Sequence, residues 1–305
     1  MDALRLQNVT KSFGATPVIR DISLSVPQGS VFGFIGANGA GKTTTMKMVL
    51  GLLKPDSGQA FVLGEPVRFG MTATNRHIGF LPDVPEFYPY LRAAEYLRLC
   101  AAVAGLSAAQ TKTRSDGLLE LVGLRGVNKK IGSYSRGMKQ RLGMAQALIN
   151  RPRVLICDEP TSALDPAGRK DVLEILRRVA GETTVVFSTH VLSDVERICD
   201  TVAVLHEGRI ALEGTLEQLK ARRKNDSLLL GFATVGECVH FRTLLPDVLA
   251  RSCEVDGAEL VVHVADRVST QRELLRLVEW SGLLPLRFEV LEPSIENLYL
   301  EVTTP

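Results

Sequence analysis

Gly36-Ala37-Asn38-Gly39-Ala40-Gly41-Lys42-Thr43-Thr44 is the stretch on which the fold turns. A glycine, four residues, then Gly-Lys-Thr is the spacing of a loop whose backbone N–H groups turn inward around phosphate oxygens. Its setting agrees with that reading. Val31–Ile35 is an apolar run that reads as a strand, and Met46, Val49, Leu50 and Leu53 fall on one face of a helix opening at Lys42. In this order of strand, glycine turn and helix, the helix N-terminus adds partial positive charge. Gly36, Gly39 and Gly41 allow the turn, Lys42 reaches terminal phosphates, and the Thr43 hydroxyl is placed to ligate magnesium. Ala37, Asn38, Ala40 and Thr44 complete the candidate nucleotide-binding segment.

Further along, the wholly apolar Val154-Leu-Ile-Cys157 and the β-branched Thr183–Val186 read as strands buried on both faces of a parallel sheet. The first runs straight into Asp158-Glu159, at the carboxyl end of a strand, where open α/β sheets bind ligands. Two adjacent acids in such a place need a compensating cation. Asp158 is read as the magnesium-associated carboxylate and Glu159 as the group that orients or deprotonates an attacking water. Together the two segments define a P-loop NTPase and nothing narrower.

Composition bounds the alternatives. A chain of 305 residues with 45% apolar and 23% charged side chains is globular, long enough for one large domain and a smaller appendage. A formal charge of +2 is too small for the field of a dedicated nucleic-acid binder. Cys100, Cys157, Cys199, Cys238 and Cys253 form no CxxC pair and read as reduced thiols of a cytosolic protein. No apolar run approaches the ~20 residues of a membrane span, and Met-Asp-Ala-Leu-Arg lacks the features of a signal peptide. The chain is therefore expected in the cytoplasm, acting at a membrane only by docking on another protein.

What narrows the class is Tyr134-Ser135-Arg136-Gly137-Met138-Lys139-Gln140-Arg141-Leu142, lying ahead of Asp158. This stretch resembles the signature segment of ATP-binding cassette (ABC) ATPases, in which a serine and a glycine at a helix N-terminus contact the γ-phosphate held by the opposite subunit. Ser135 and Gly137 occupy those positions, followed by Met138. The remaining family order is present. Phe13 matches the aromatic residue that stacks on adenine, Ser162-Ala-Leu-Asp165 the D-loop, and His190, after the strand Thr184–Ser188, the switch histidine. The resemblance covers about residues 2–220. There are departures. Asp83 in Ile78-Gly-Phe-Leu-Pro-Asp83 stands where a glutamine usually follows Leu-Pro, and Arg136 and Met138 replace a glycine and the final glutamine of the signature. By this match Asp83 joins Thr43 and Asp158 as a candidate metal ligand. These segments, and the ending Glu292–Glu301, resemble the branch that serves antibiotic, polysaccharide, lipid or sodium exporters.

The expected fold is thus α/β: a P-loop NTPase of the ABC ATPase type with an inserted helical subdomain, plus a small C-terminal α+β, ferredoxin-like domain. Residues 1–222 form the nucleotide-binding domain, with the helical subdomain at about 83–135, where Ser107–Gln110 is a capping-box match and Leu118, Leu121 and Val122 share a face. Thr215–Gln218 opens a helix that ends in the charged stretch Lys220–Asp226, a linker with a boundary near Lys224. Residues 225–305 read β, α, β, β, α, β at Leu228–Ala233, Glu237–Leu245, Arg251–Val255, Leu260–Val264, Thr270–Ser281 and Leu286–Leu291. This accessory domain either braces a dimer and covers apolar surface or senses a small molecule.

The resemblance implies an ATPase, with ATP and Mg2+ as cofactors, that couples hydrolysis to transmembrane transport through a separate integral membrane permease. It implies export by analogy, peripheral association with the cytoplasmic face of the membrane, and no nucleic-acid partner. One copy of each motif makes a homodimer the simplest assembly, with a heterodimer as the alternative. The groove at Asp83–Tyr96 would receive the permease's coupling helix, with Phe87, Tyr88 and Tyr90 either contacting it or packing as local core. The rival reading is a soluble ABC ATPase acting on nucleic acid or ribosomes. A single cassette, a short helical insert and the lack of CxxC weigh against it.

Overall fold

The computed structural model describes residues 1–70, 73–222, 226–264, 266–291 and 295–303. The chain divides into two compact units, Met1–Leu216 and a second that begins at Glu217. The linker boundary expected near Lys224 and the start of the Glu292–Glu301 tail lie outside the described residues.

The first unit is built on a six-stranded sheet. Its strands run in the order Arg209–Thr215, Thr201–His206, Val31–Ile35, Thr184–Thr189, Val154–Cys157 and Ile78–Leu81. All pairings are parallel except that of the Arg209–Thr215 edge strand. Val31–Ile35, Val154–Cys157 and Thr184–Thr189 are buried along their whole length. That is why their sequences are continuous apolar or β-branched runs, since a parallel sheet covered on both faces gives no position to water. Register then does the work of assembly. Ile35 pairs with Thr189 and Cys157 with Phe187, so residues 36, 158 and 190 emerge at one end of the sheet.

A second, antiparallel sheet contains the hairpin Asp2–Phe13 and Thr16–Pro27, then Ser57–Val62 and Glu65–Pro66. The hairpin alternates buried and exposed residues only towards the end of its second strand, and its buried residues pack with Met46, Met48 and Val49 of the helix Lys42–Val49. That helix ends before Leu53, which stays partly buried beside the same cluster. Helices Ala93–Val103, Ala108–Leu121 and Arg136–Ala147 form the helical part. The Ser107 hydroxyl accepts the Gln110 N–H at 3.3 Å, while the Gln110 side chain accepts the Ser107 N–H at 2.9 Å. Two donors that a bare helix end would leave unpaired are thereby satisfied.

In the second unit, strands Asp226–Gly231, Cys253–Asp256, Glu259–Val264 and Arg287–Leu291 form an antiparallel sheet. Their spatial order is Cys253–Asp256, Glu259–Val264, Asp226–Gly231, Arg287–Leu291. Helices Val235–Thr243 and Arg267–Ser281 complete the βαββαβ, ferredoxin-like connectivity. Leu228, Leu230, Leu260 and Val262 face Phe241, Leu274 and Val278 in its core. The helix expected over Glu237–Leu245 runs from Val235 to Thr243, and Pro246 opens a further short helix at Asp247–Arg251 that was not expected. The following strand consequently begins at Cys253 and leaves Arg251 helical.

One close approach positions the site. A Cβ at Gly79 would collide with the carbonyl oxygen of Ala147, and one at Gly143 would lie 2.7 Å from Leu81 Cδ1. The strand leading to Asp83 therefore lies directly against the helix that begins at Arg136. Gly79→Ala is expected to lower unfolding free energy by about 1–3 kcal/mol, the usual cost of overpacking, read as a lower urea midpoint at unchanged slope.

Candidate active site

The loop after Val31–Ile35 is tied to the neighbouring strand by Gly36 N–H donating to the Thr189 carbonyl at 3.3 Å. Gly41 caps the helix Lys42–Val49 in the left-handed region, at φ 109°. A Cβ there would stand 2.5 Å from Ile19 Cδ1, so glycine is required both by torsion and by space. The helix has no side-chain cap and no acid in its first turn, which leaves its N-terminal donors to a ligand.

Lys42 is only 6% exposed. Its ammonium donates to the carbonyls of Gly36 at 2.6 Å and Ala37 at 3.1 Å. Glu159 Oε1 stands 3.0 Å away, an ion pair without hydrogen-bond alignment. The Thr43 hydroxyl donates to Asp158 Oδ2 at 2.7 Å. Ser188 serves both acids, donating to Asp158 Oδ1 at 2.6 Å and accepting the Glu159 N–H at 2.9 Å. His190 Nδ1 lies 2.9 Å from Glu159 Oε2. Glu159 itself adopts φ 47°, a left-handed conformation that a side chain enters only under constraint.

Gly41, Lys42, Thr43, Asp158, Glu159 and His190 line one cleft of about 370 Å³, whose walls also include Asn38, Gly39, Thr44, Asp83 and Ser162, with Gly36, Ala37 and Ala40 outside its lining. Burial holds the Asp83 carboxyl above the usual range. Arg136 and a hydrogen bond with Ser162 pull it down, and the like charges of Asp158 and Glu159 push it up. The donors fit a hard cation: Thr43 and Asp158 offer oxygen atoms, with Asp83 on the same cleft wall, as Mg2+ requires. Among the described residues no group of three or more His, Cys, Asp or Glu side chains is arranged to hold an ion alone. An ion here would thus complete its shell from phosphate and water.

Several other candidates stand apart. Ser135 caps Arg136–Ala147, accepting the Met138 N–H at 3.2 Å, and Gly137 faces Leu164. Asp165 caps Pro166–Val179, accepting the Gly168 N–H at 3.1 Å. Phe13, at the hairpin tip, is half exposed beneath the Lys11 ammonium. None of Phe13, Ser135, Gly137, Met138 and Asp165 lines the phosphate cleft. A second groove of about 420 Å³ is lined by Asp83, Phe87, Ile131, Arg136, Lys139 and Gln140, among others. Phe87 packs edge-on against the buried Tyr96, whereas Tyr88 and Tyr90 are exposed. Sequence reading missed Ser188 as a site residue and named Ser162 only as the start of the D-loop segment. The available signal for Ser188 was its place at the carboxyl end of a buried strand, two residues before His190.

A sequence profile described as ABC transporter matches residues 19–162. The ABC transporter ATP-binding protein YxlF of Bacillus subtilis is 37% identical, with 98% of this chain and 99% of that protein covered. The bacitracin transport ATP-binding protein BcrA of Bacillus licheniformis is 35% identical, covering 98% and 96%. Among solved structures, an ATP-binding subunit of an ABC transporter superposes with TM-score 0.65 at 32% identity, covering 72% of this chain and 92% of that one.

Ser188→Ala strips one hydrogen-bond partner from Asp158 and another from the Glu159 amide. It is expected to lower unfolding free energy by about 1–3 kcal/mol, measured by urea denaturation.

Proposed function

The chain belongs to the ATP-binding subunits of ABC transporters, and from that premise we propose that two copies of it close on two ATP molecules and so drive a separate membrane-embedded permease. Nucleotide binding, ATP hydrolysis and a part in transport come with the membership. The observation that carries the dimer reading is the division of the site. The phosphate loop, Asp158, Glu159 and His190 share one cleft, while Ser135, Gly137 and Met138 lie outside it. A serine-capped helix from a second copy supplies the missing wall, and twofold symmetry completes both sites at once.

Within each site the backbone of residues 36–44 cradles the phosphates, Phe13 stacks on adenine, and the Lys42 ammonium turns to the terminal phosphates. Thr43, Asp158 and Asp83 would hold Mg2+, which would supply positive charge to the phosphate oxygens. Glu159 orients or deprotonates the attacking water, and His190 holds the Glu159 carboxylate by the 2.9 Å contact. Asp165 acts as the D-loop residue. Hydrolysis then replaces attraction with repulsion between subunits, and the dimer opens.

The groove beside Phe87, with Tyr88 and Tyr90 at its margin, receives the permease. Export is the proposed direction, supported by resemblance to the exporter branch and by the likeness to a bacitracin transport protein. Association is with the cytoplasmic membrane face. No helix among the described residues is long and apolar enough to cross a membrane. The exposed Trp280, Leu284 and Leu286 favour a bracing role for the second unit over ligand sensing.

Glu159→Gln is expected to leave ATP binding intact, slow turnover by about 10²–10⁴-fold and trap an ATP-bound dimer in light scattering. Unchanged turnover removes Glu159 from its role. Lys42→Ala should abolish nucleotide binding in calorimetry, because the triphosphate loses its principal cationic contact. Affinity capture from membranes should recover a polytopic membrane protein; recovery of nucleic acid or ribosomes instead favours the soluble reading.

A further inference from the structure

Two of the places where this chain departs from the family pattern lie 53 residues apart in sequence, at Asp83 and Arg136. In the fold they meet. Arg136 Nη2 stands 3.8 Å from Asp83 Oδ1, an oxygen that is buried and has no hydrogen-bond partner. An acid has replaced a neutral glutamine, and a base has replaced a glycine, at positions that face each other.

The location explains why the pair matters more than an ordinary surface contact. Asp83 lines both the phosphate cleft and the neighbouring groove. It lies in the field of Asp158 and Glu159, and Arg136 is the cation that opposes them. A third carboxylate at a site for a triphosphate is repulsive unless its charge is compensated. Arg136 compensates it, and Arg136 is also the first residue of the helix capped by Ser135. The strand before Asp83 and the last turn of that helix are already in contact through Gly79. A charge pair at the other end of the same helix fixes its direction.

We propose that Asp83 and Arg136 form a charge-compensated positioning pair that aims the Ser135 end of its helix at the nucleotide of the second copy. This rests on the two-copy reading given above. Arg136 acts through the placement of Ser135 and Gly137, and Asp83 gives it a fixed anchor. The pair stands for the neutral glutamine and glycine of other members: both arrangements leave the site's net charge unchanged, but only this one links the cleft to the signature helix electrostatically.

The test is ATP-dependent dimerisation of the full chain in the Glu159→Gln background, followed by light scattering across protein concentration. Affinity for a fluorescent ATP analogue is measured in parallel on the monomer. Adding Arg136→Ala is expected to raise the dimerisation midpoint about tenfold while analogue affinity stays within about twofold, the range of coupled neighbouring sites. Arg136→Lys in its place, which keeps a cation facing Asp83, should return the midpoint to within about threefold of the parent. Both side chains are about half exposed, and thermal unfolding checks that each variant folds. If Arg136→Ala dimerises like its parent, or if Arg136→Lys fails to restore dimerisation, the pair has no positioning role and the two-copy site survives. If Glu159→Gln alone fails to dimerise with ATP, the two-copy reading falls, and the pair with it.

Discussion

A nearly enclosed ammonium facing a row of carboxylates sets the terms for the rest of this molecule. Lys42 is 6% exposed and Asp158 5%, and ionised groups taken that far from water cost several kcal/mol each unless they are met by partners. The fold meets them separately. Asp158 takes the hydroxyls of Thr43 and Ser188, whereas Glu159 lies between Lys42 and His190. Both acids lean on the same two elements, the start of the helix Lys42–Val49 and the end of the strand Thr184–Thr189, so the arrangement exists only while three parallel strands keep their mutual register. The same compactness that makes the charges costly holds them in fixed geometry, which is what a charged ligand requires of a binding surface.

The sheet was legible from sequence because burial on both faces produces unbroken apolar runs, as in Val154–Cys157. The N-terminal hairpin is harder to read. Its strands run from Asp2 to Phe13 and Thr16 to Pro27, but bulges interrupt the pairing, and Asn8 and Asp21 enter the left-handed region with their side chains hydrogen-bonded to each other at 3.1 Å. Such irregularities break the two-residue alternation by which a strand is recognised. In the second unit the short helix Asp247–Arg251 falls between two elements that the sequence does reveal.

The phosphate loop was readable because its chemistry is local: torsion, charge and hydroxyl lie within nine residues. Ser188 was not, since a serine inside a buried run looks like filler until strand pairing brings it beside Asp158. The Asp83–Arg136 contact was hidden for a similar reason. Each residue could be marked as a departure, but only the packing of Gly79 against Ala147 brings the two segments together. What escapes a sequence reading is therefore the cross-chain pairing of polar groups that are individually unremarked.

The clearance around Gly79 and Gly143 has a mechanical corollary. Because the rear of the twelve-residue helix Arg136–Ala147 is wedged against the central sheet, that end serves as a fulcrum. The seven residues from Arg136 to the one before Gly143 form a lever arm of about 10 Å at 1.5 Å per residue. A tilt of about 10° swings the tip by about 2 Å, comparable with the margin between a formed and a lost hydrogen bond. Any small rotation of this one rod would thereby be magnified at its serine end.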